Sequence, residues 1–310
     1  VATMTRAAGS GVIALRYNTH REAFGSTLLT YQHYRERLMP VVAEGLALHH
    51  LTEDLIEQWS GDPGTSSPAS AGRALYGLTS GAKAHASWTA NPALVALREL
   101  CGGHGFHSHN AIVTARVDGE INTTFGGDNT VLCYESVRVA ARESGVRDSV
   151  PERDRTPPLP AESGDGAQVC EWAAALLDTL AGRLLRRWQR TQHGALCRPQ
   201  VHARCTARIL RRWAAHSRGA ADDAMRQLHA VTGLLSLTEH LVAEDLLDGA
   251  AIRELLTRRG TLSDRCADRH TEVLDLLEVP RALLGVPLAH PDYVRRTVTA
   301  AQDTYRLRHA

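Results

Sequence analysis

Apolar residues recur three and four positions apart through most of the 310-residue chain, the spacing that lines one face of an α-helix. Residues 27–59 carry Leu28, Tyr31, Leu38, Val42, Leu46, Leu51 and Leu55 in this pattern, which predicts one long helix. Pro40 falls inside it and should kink it, because proline has no N–H and its ring crowds the preceding turn. The stretch SGDPGTSSPASAG (60–72) reads as a loop by composition. A third helix is expected over 71–100, nicked at Asn91-Pro92 because a residue before proline avoids the helical region. Residues 101–127 read as a non-helical excursion. Asp128 or Asn129 should then cap a fourth helix ending near Gly145.

The segment RDSVPERDRTPPLPAESGDG (147–166) breaks the pattern with four prolines and many charges, the composition of a boundary. Beyond it, Val169, Trp172, Ala173, Leu176, Leu177, Leu180 and Leu184 share one helical face. Further helices are expected at 199–217, 219–248, 250–258 and 261–278, followed by the proline-punctuated tail VPRALLGVPLAHPDY. No strand of any length is predicted. The expected fold is all-α, two packed helical bundles over 1–146 and 168–310 joined by a linker at 147–167.

Composition narrows the function. A net charge of +1 and only 5% aromatic residues exclude the basic stripe or stacking platform of a nucleic-acid binder. No run approaches the ~20 apolar residues of a membrane span, and the N-terminal tract is too short and broken for a signal peptide. Lys83 is the only lysine, so positive charge is almost all arginine; this bias points to a high-GC bacterial source and a cytoplasmic protein. Cys101, Cys133, Cys170, Cys197, Cys205 and Cys266 lie far apart with no CxxC pair, which predicts buried reduced thiols.

The stretch LCGGHGFHSHN (100–110) concentrates candidate chemistry. Cys101, His104, His107 and His109 are zinc-ligand types, but the histidines follow no regular ligand spacing. Gly102, Gly103 and Gly105 instead call for a sharp turn or for backbone lying close against something. A histidine-rich solvated turn is the third reading. Periodicity alone leaves the three open.

Three ordered motifs carry a resemblance. RYNTHREAFG (16–25) with Tyr31-Gln32, then RELCGGHGF (98–106), then TTFGGDNTVL (123–132) resemble the C-terminal helical half of the acyl-CoA oxidases, flavoenzymes of the acyl-CoA dehydrogenase superfamily. LLSLTEHLVAEDLLDGAAI and LLEVPRALLGVPLA are similar to the second helical domain that oxidases add to the dehydrogenase-type bundle. The resemblance implies FAD as cofactor and acyl-CoA as substrate, dehydrogenated to the 2-enoyl thioester with electrons passed to oxygen. It implies that Gly102 and Gly103 bring bare backbone to the flavin dinucleotide of a neighbouring subunit, with no metal. It implies that Arg21 pairs with the pyrophosphate, that Phe24 and Gln32 line the dinucleotide, and that Gly127, Asn129 and Thr130 face the cofactor. A homodimer, or a separate chain supplying an N-terminal helical domain and a β-barrel domain, is expected.

The pattern departs from the family at one position. The glutamate that removes the α-proton in most oxidases is replaced by Gly126, so this chain has no assigned catalytic residue; Asp128 and Glu120 are the weak substitutes. Some relatives place the base on the first helix of the domain, a position upstream of Val1 if the chain begins partway along that helix. Two alternatives follow from Gly126: a non-catalytic partner subunit, or a relative repurposed as a flavin monooxygenase.

Overall fold

The structure, a computed structural model, describes residues 2–60, 68–144, 158–160, 165–216, 218–279 and 284–309. Five helices build the first half: α1 (Ala2–His20), α2 (Gln32–Ser60), α3 (Pro68–Leu100), α4 (Ile112–Glu120) and α5 (Asn129–Glu143). Seven build the second: α6 (Gly166–Thr191), α7 (Cys197–Ala215), α8 (Ala220–Leu235), α9 (Thr238–Ala243), α10 (Gly249–Asp268), α11 (His270–Leu276) and α12 (Tyr293–His309). The only sheet among the described residues is a hairpin of two-residue strands, β1 (Glu22–Ala23) and β2 (Ser26–Thr27).

Both prolines are absorbed without a break. α2 runs through Pro40 and α3 through Pro92. An interior proline costs about 3 kcal/mol. Leu38, Met39 and Val42 beside Pro40 are fully buried, and burying one such side chain is worth roughly 1.5–3 kcal/mol, so packing outweighs the lost bond. Gly260 misleads in the same direction. The expected break at 259–260 is absent because α10 lays Gly260 against α2, where a Cβ would sit 3.3 Å from the Glu36 carboxylate. Residues 219–248 do break, after Leu235, where the Ser236 hydroxyl donates back to the Gly233 carbonyl. The excursion at 101–127 also holds a helix, α4, anchored by fully buried Ile112. The tail ends in α12.

All seven apolar positions named on α6 are buried, and the six cysteines are buried free thiols. α2 packs on α7, α8 and α10, and α5 on α7, so the two halves share one continuous core. Arg208 pairs with Asp54, and Arg212 with Glu57 at 2.6 Å, across the α7–α2 seam. The predicted linker lies outside the described residues except for 158–160 and 165–167.

Candidate functional site

The Cys-Gly-Gly-His stretch turns back immediately after α3. Asn18 holds the end of that helix, its amide donating to the Leu100 carbonyl at 3.3 Å and to Ala14 at 2.8 Å. Gly102 has φ +54°, a region where a Cβ is strained. Gly105 is needed for a different reason, since a Cβ there would lie 2.4 Å from the Arg98 carbonyl oxygen. Gly103 has neither constraint: nothing of this chain comes near where its Cβ would be. The Asn110 amide fastens the loop by donating to His104 O at 2.9 Å and accepting from Leu288 N–H at 3.2 Å.

This turn and the end of α1 border a cleft of about 480 Å³ lined by Tyr17, Arg21, Tyr34, Gly102, Gly103 and His104. Arg21 is held in place by donating to the Tyr293 hydroxyl at 3.0 Å, a contact reaching across from α12. Tyr17 stands edge-on to Tyr293 at 5.3 Å, and burial pushes its phenol up to about 12, so it stays protonated. Burial also lowers His104, with His107 and Arg21 acting the same way. Cys101 lies in the core, where burial pushes the thiol up to about 12. Among the described residues no three His, Cys, Asp or Glu side chains are placed to hold a metal ion.

Phe24 is fully exposed and has φ +54°; with Gly25 at +86° it forms the turn between β1 and β2. A bulky residue in this region is strained by roughly 1–2 kcal/mol. The Tyr31 hydroxyl clamps the turn, donating to Ala23 O at 2.7 Å and Phe24 O at 3.1 Å. Gln32 is exposed at the start of α2, does not line the cleft, and donates to Glu36 at 3.0 Å.

The third motif lies elsewhere. Lys83 anchors it from the middle of α3, about 25 Å along the helix from the Leu100 end at 1.5 Å per residue. Its ammonium donates to Gly127 O at 2.7 Å and Asn129 Oδ1 at 2.8 Å, and burial lowers its pKa. Asn129 is buried and its amide is spent on Lys83 and Ser87, so its side chain does not face outward as expected. Gly127 (φ +102°) is exposed backbone, as is Gly126 (φ +72°), and Thr130 is exposed one turn on. Asp128 caps α5, accepting from Thr130 N–H at 2.9 Å and Val131 N–H at 3.3 Å. Glu120 is exposed and paired with Arg116 at 3.1 Å.

Sequence reasoning passed over Tyr17, Lys83 and Tyr293. Tyr17 lies inside the first motif without a distinguishing signal. Tyr293 is 272 residues from Arg21, a pairing no local pattern announces. Lys83 carried a signal of sorts, as the one amine in an arginine-rich chain.

Residues 2–141 match the family model described as acyl-CoA oxidase, C-alpha1 domain. Human peroxisomal acyl-coenzyme A oxidase 3 is 36% identical over 138 residues, covering 40% of this chain and 20% of that protein. Peroxisomal acyl-coenzyme A oxidase 2 of Arabidopsis thaliana is 36% identical over 132 residues, 41% and 19% respectively. The solved structure of acyl-CoA oxidase-1 of Caenorhabditis elegans, complexed with FAD and ATP, superposes with a TM-score of 0.78 at 16% identity. It covers 94% of this chain, which spans 50% of that one. These relatives are eukaryotic and the two curated ones are peroxisomal by name, which overturns the expectation of a bacterial cytoplasmic protein. Arginine usage carries no such information. Among the described residues no helix is long and apolar enough to cross a membrane.

Proposed function

We propose that the chain, whose residues 2–141 match the acyl-CoA oxidase C-alpha1 domain model, is the helical half of a flavin-dependent acyl-CoA oxidase. The observation that carries the reading is the convergence at one cleft of Arg21, oriented by Tyr293, with the open backbone of Gly102 and Gly103. Arg21 gives one N–H to Tyr293 and keeps the rest of its planar fork for a phosphate. Gly103 leaves space that nothing in this chain fills, and Phe24 is held strained and fully exposed, as a residue shaped for an outside contact would be. These residues fit a dinucleotide; the buried amide of Asn129 does not, and in that segment only Gly127 and Thr130 remain open to it. FAD, when bound, supplies the hydride acceptor for dehydrogenation of an acyl-CoA to 2-enoyl-CoA, with oxygen reoxidising it.

In this reading the remaining domains, and the second wall of the flavin site, come from outside these residues, in a second copy or a separate chain. The division into bundles over 1–146 and 168–310 is part of the same proposal. Replacing Arg21 by Ala in the completed assembly should weaken flavin retention about tenfold or more, by loss of a charge-assisted contact. Unchanged flavin occupancy would refute the reading.

One observation favours a second reading. Gly126 cannot take a proton, Asp128 is committed to its cap, and Glu120 lies exposed in an ion pair. A subunit that supports the flavin edge without abstracting a proton itself, or a monooxygenase-type relative that needs no such base, accommodates all three. Peroxide production from acyl-CoA by the completed assembly separates it from the first.

A further inference from the structure

A second cavity, of about 610 Å³, lies where α7, α8 and the turn into α9 close over α2 and α3. Its wall includes Glu44, His85, His202, His229 and Ser236, none of which takes part in the cleft around Gly102 and Gly103.

The protons on this wall follow by elimination. Ser236 Oγ is 2.7 Å from the Gly233 carbonyl, which can only accept, so the hydroxyl donates there. The same oxygen is 2.8 Å from His202 Nε2, which must therefore be the donor of that pair. A neutral His202 then has a bare Nδ1, 3.0 Å from His85 Nδ1, so His85 carries its proton on Nδ1. Burial lowers His85 to about 3 and His202 to about 4, which keeps both rings neutral. His85 Nε2 is left as a lone pair, buried and with no donor.

Glu44 repeats the pattern. Its Oε2 is 3.3 Å from His229 Nδ1, while its Oε1 is buried with no donor. Burial pushes its carboxyl up, and the His229 imidazole beside it pulls it down further than that, leaving it below the ordinary range. Buried acceptors are normally matched by donors, and here Glu44 Oε1 and His85 Nε2 belong to one wall with neither hydrogen-bonded, nor is either nitrogen of His229. The Thr206 and Thr232 hydroxyls beside them are also unpartnered. No three groups among the described residues are placed for a metal ion. Trp88, Pro92 and Leu237 give the cavity an apolar side, and Arg198 lies over Trp88 at 4.6 Å.

We propose that this cavity binds a small primary amine in its ammonium form. Its N–H groups donate to Glu44 Oε1 and His85 Nε2, and its hydrocarbon part lies against Trp88, Pro92 and Leu237. Glu44 and His85 come from the first half of the chain and His202, Thr206 and Ser236 from the second, so the ligand joins the two. This inference does not depend on the flavin reading, and its test involves no flavin.

The test is calorimetric titration of the full chain at pH 8 with n-butylammonium chloride, with tetramethylammonium chloride as a cation of equal charge and no N–H donor. Saturable butylammonium binding is expected, with tetramethylammonium at least about tenfold weaker. Glu44→Gln should weaken butylammonium by a similar factor. If that variant does not fold, His85→Gln decides in its place, reducing affinity. A crystal grown with butylammonium should show its nitrogen within hydrogen-bond distance of Glu44 and His85. The proposal is overturned by absence of saturable binding, by equal affinity for both cations, by unchanged affinity in folded variants, or by ordered water alone in the cavity.

Discussion

Three glycines within four residues are asked for by three different causes, and replacing each by alanine separates them. Gly105→Ala puts a Cβ 2.4 Å from the Arg98 carbonyl oxygen, so backbone must move by most of an ångström. Overpacking of this kind costs about 1–3 kcal/mol. Gly102→Ala meets no atom but forces φ +54° on an L-residue, at about 1–2 kcal/mol. Gly103→Ala meets no atom and carries no positive φ, so it should change stability by less than about 0.5 kcal/mol in either direction. Chemical denaturation of the three variants beside the parent chain reads the order directly. The Gly103 variant then becomes the probe of function. In the completed assembly an added methyl there meets only what approaches from outside, so flavin retention should fall while stability holds. If Gly103→Ala destabilises as much as Gly105→Ala, the geometry of the turn is wrong. If it leaves both stability and flavin unchanged, nothing approaches Gly103 and the cofactor-edge assignment fails.

The remaining predictions test other parts of the molecule. Burial holds His50 and His85 near 3 and His202 near 4, below the ordinary value of 6.5. The unfolded chain therefore binds more protons between those values: stability is complete above about pH 6.5 and should fall by up to about 1.4 kcal/mol per pH unit for each histidine as the pH drops. Denaturation midpoints that are flat from pH 7 to pH 5 would refute this. Lys83→Met removes two ammonium hydrogen bonds to the 127–129 turn and should cost about 2 kcal/mol, measured by denaturation; a loss under about 0.5 would mean the turn holds without it. Gly126→Glu should raise peroxide production from acyl-CoA about 10²-fold or more if the assembly otherwise lacks a base, and should not raise it if one is present elsewhere. Limited proteolysis should cut first within 147–166, on the strength of its prolines and charges; a first cut inside 168–278 would count against the two-bundle division.

The helices were legible wherever an apolar face is continuous, as on α6, because burial of that face forms the helix. The signals that failed were local ones overruled by packing. Gly260 read as a break, yet its helix is buried on both sides of it. α4 was missed because it buries only Ile112 and Gly119 and so shows no stripe. At the cleft, Arg21, Gly102 and Gly103 were found through the order of their motifs. What positions them was not, because the hydroxyl of Tyr293 and the amide of Asn18 meet their partners 272 and 82 residues away. Asn129 shows the opposite error: a polar residue in an exposed-looking motif is turned inward by a lysine and a serine on another helix.

Lys83 has a practical consequence. It is the one side-chain amine in the chain, and both Gly127 and Asn129 hold it where an electrophile cannot take its lone pair. Acylating reagents that modify most proteins at many side chains should therefore find a single side-chain target here, Lys83, and label it slowly. The rate of that labelling reports how often the 127–129 turn lets go. A fluorescent ester thus becomes a clock for the opening of one loop, with no engineered tag, in a chain that has no second lysine.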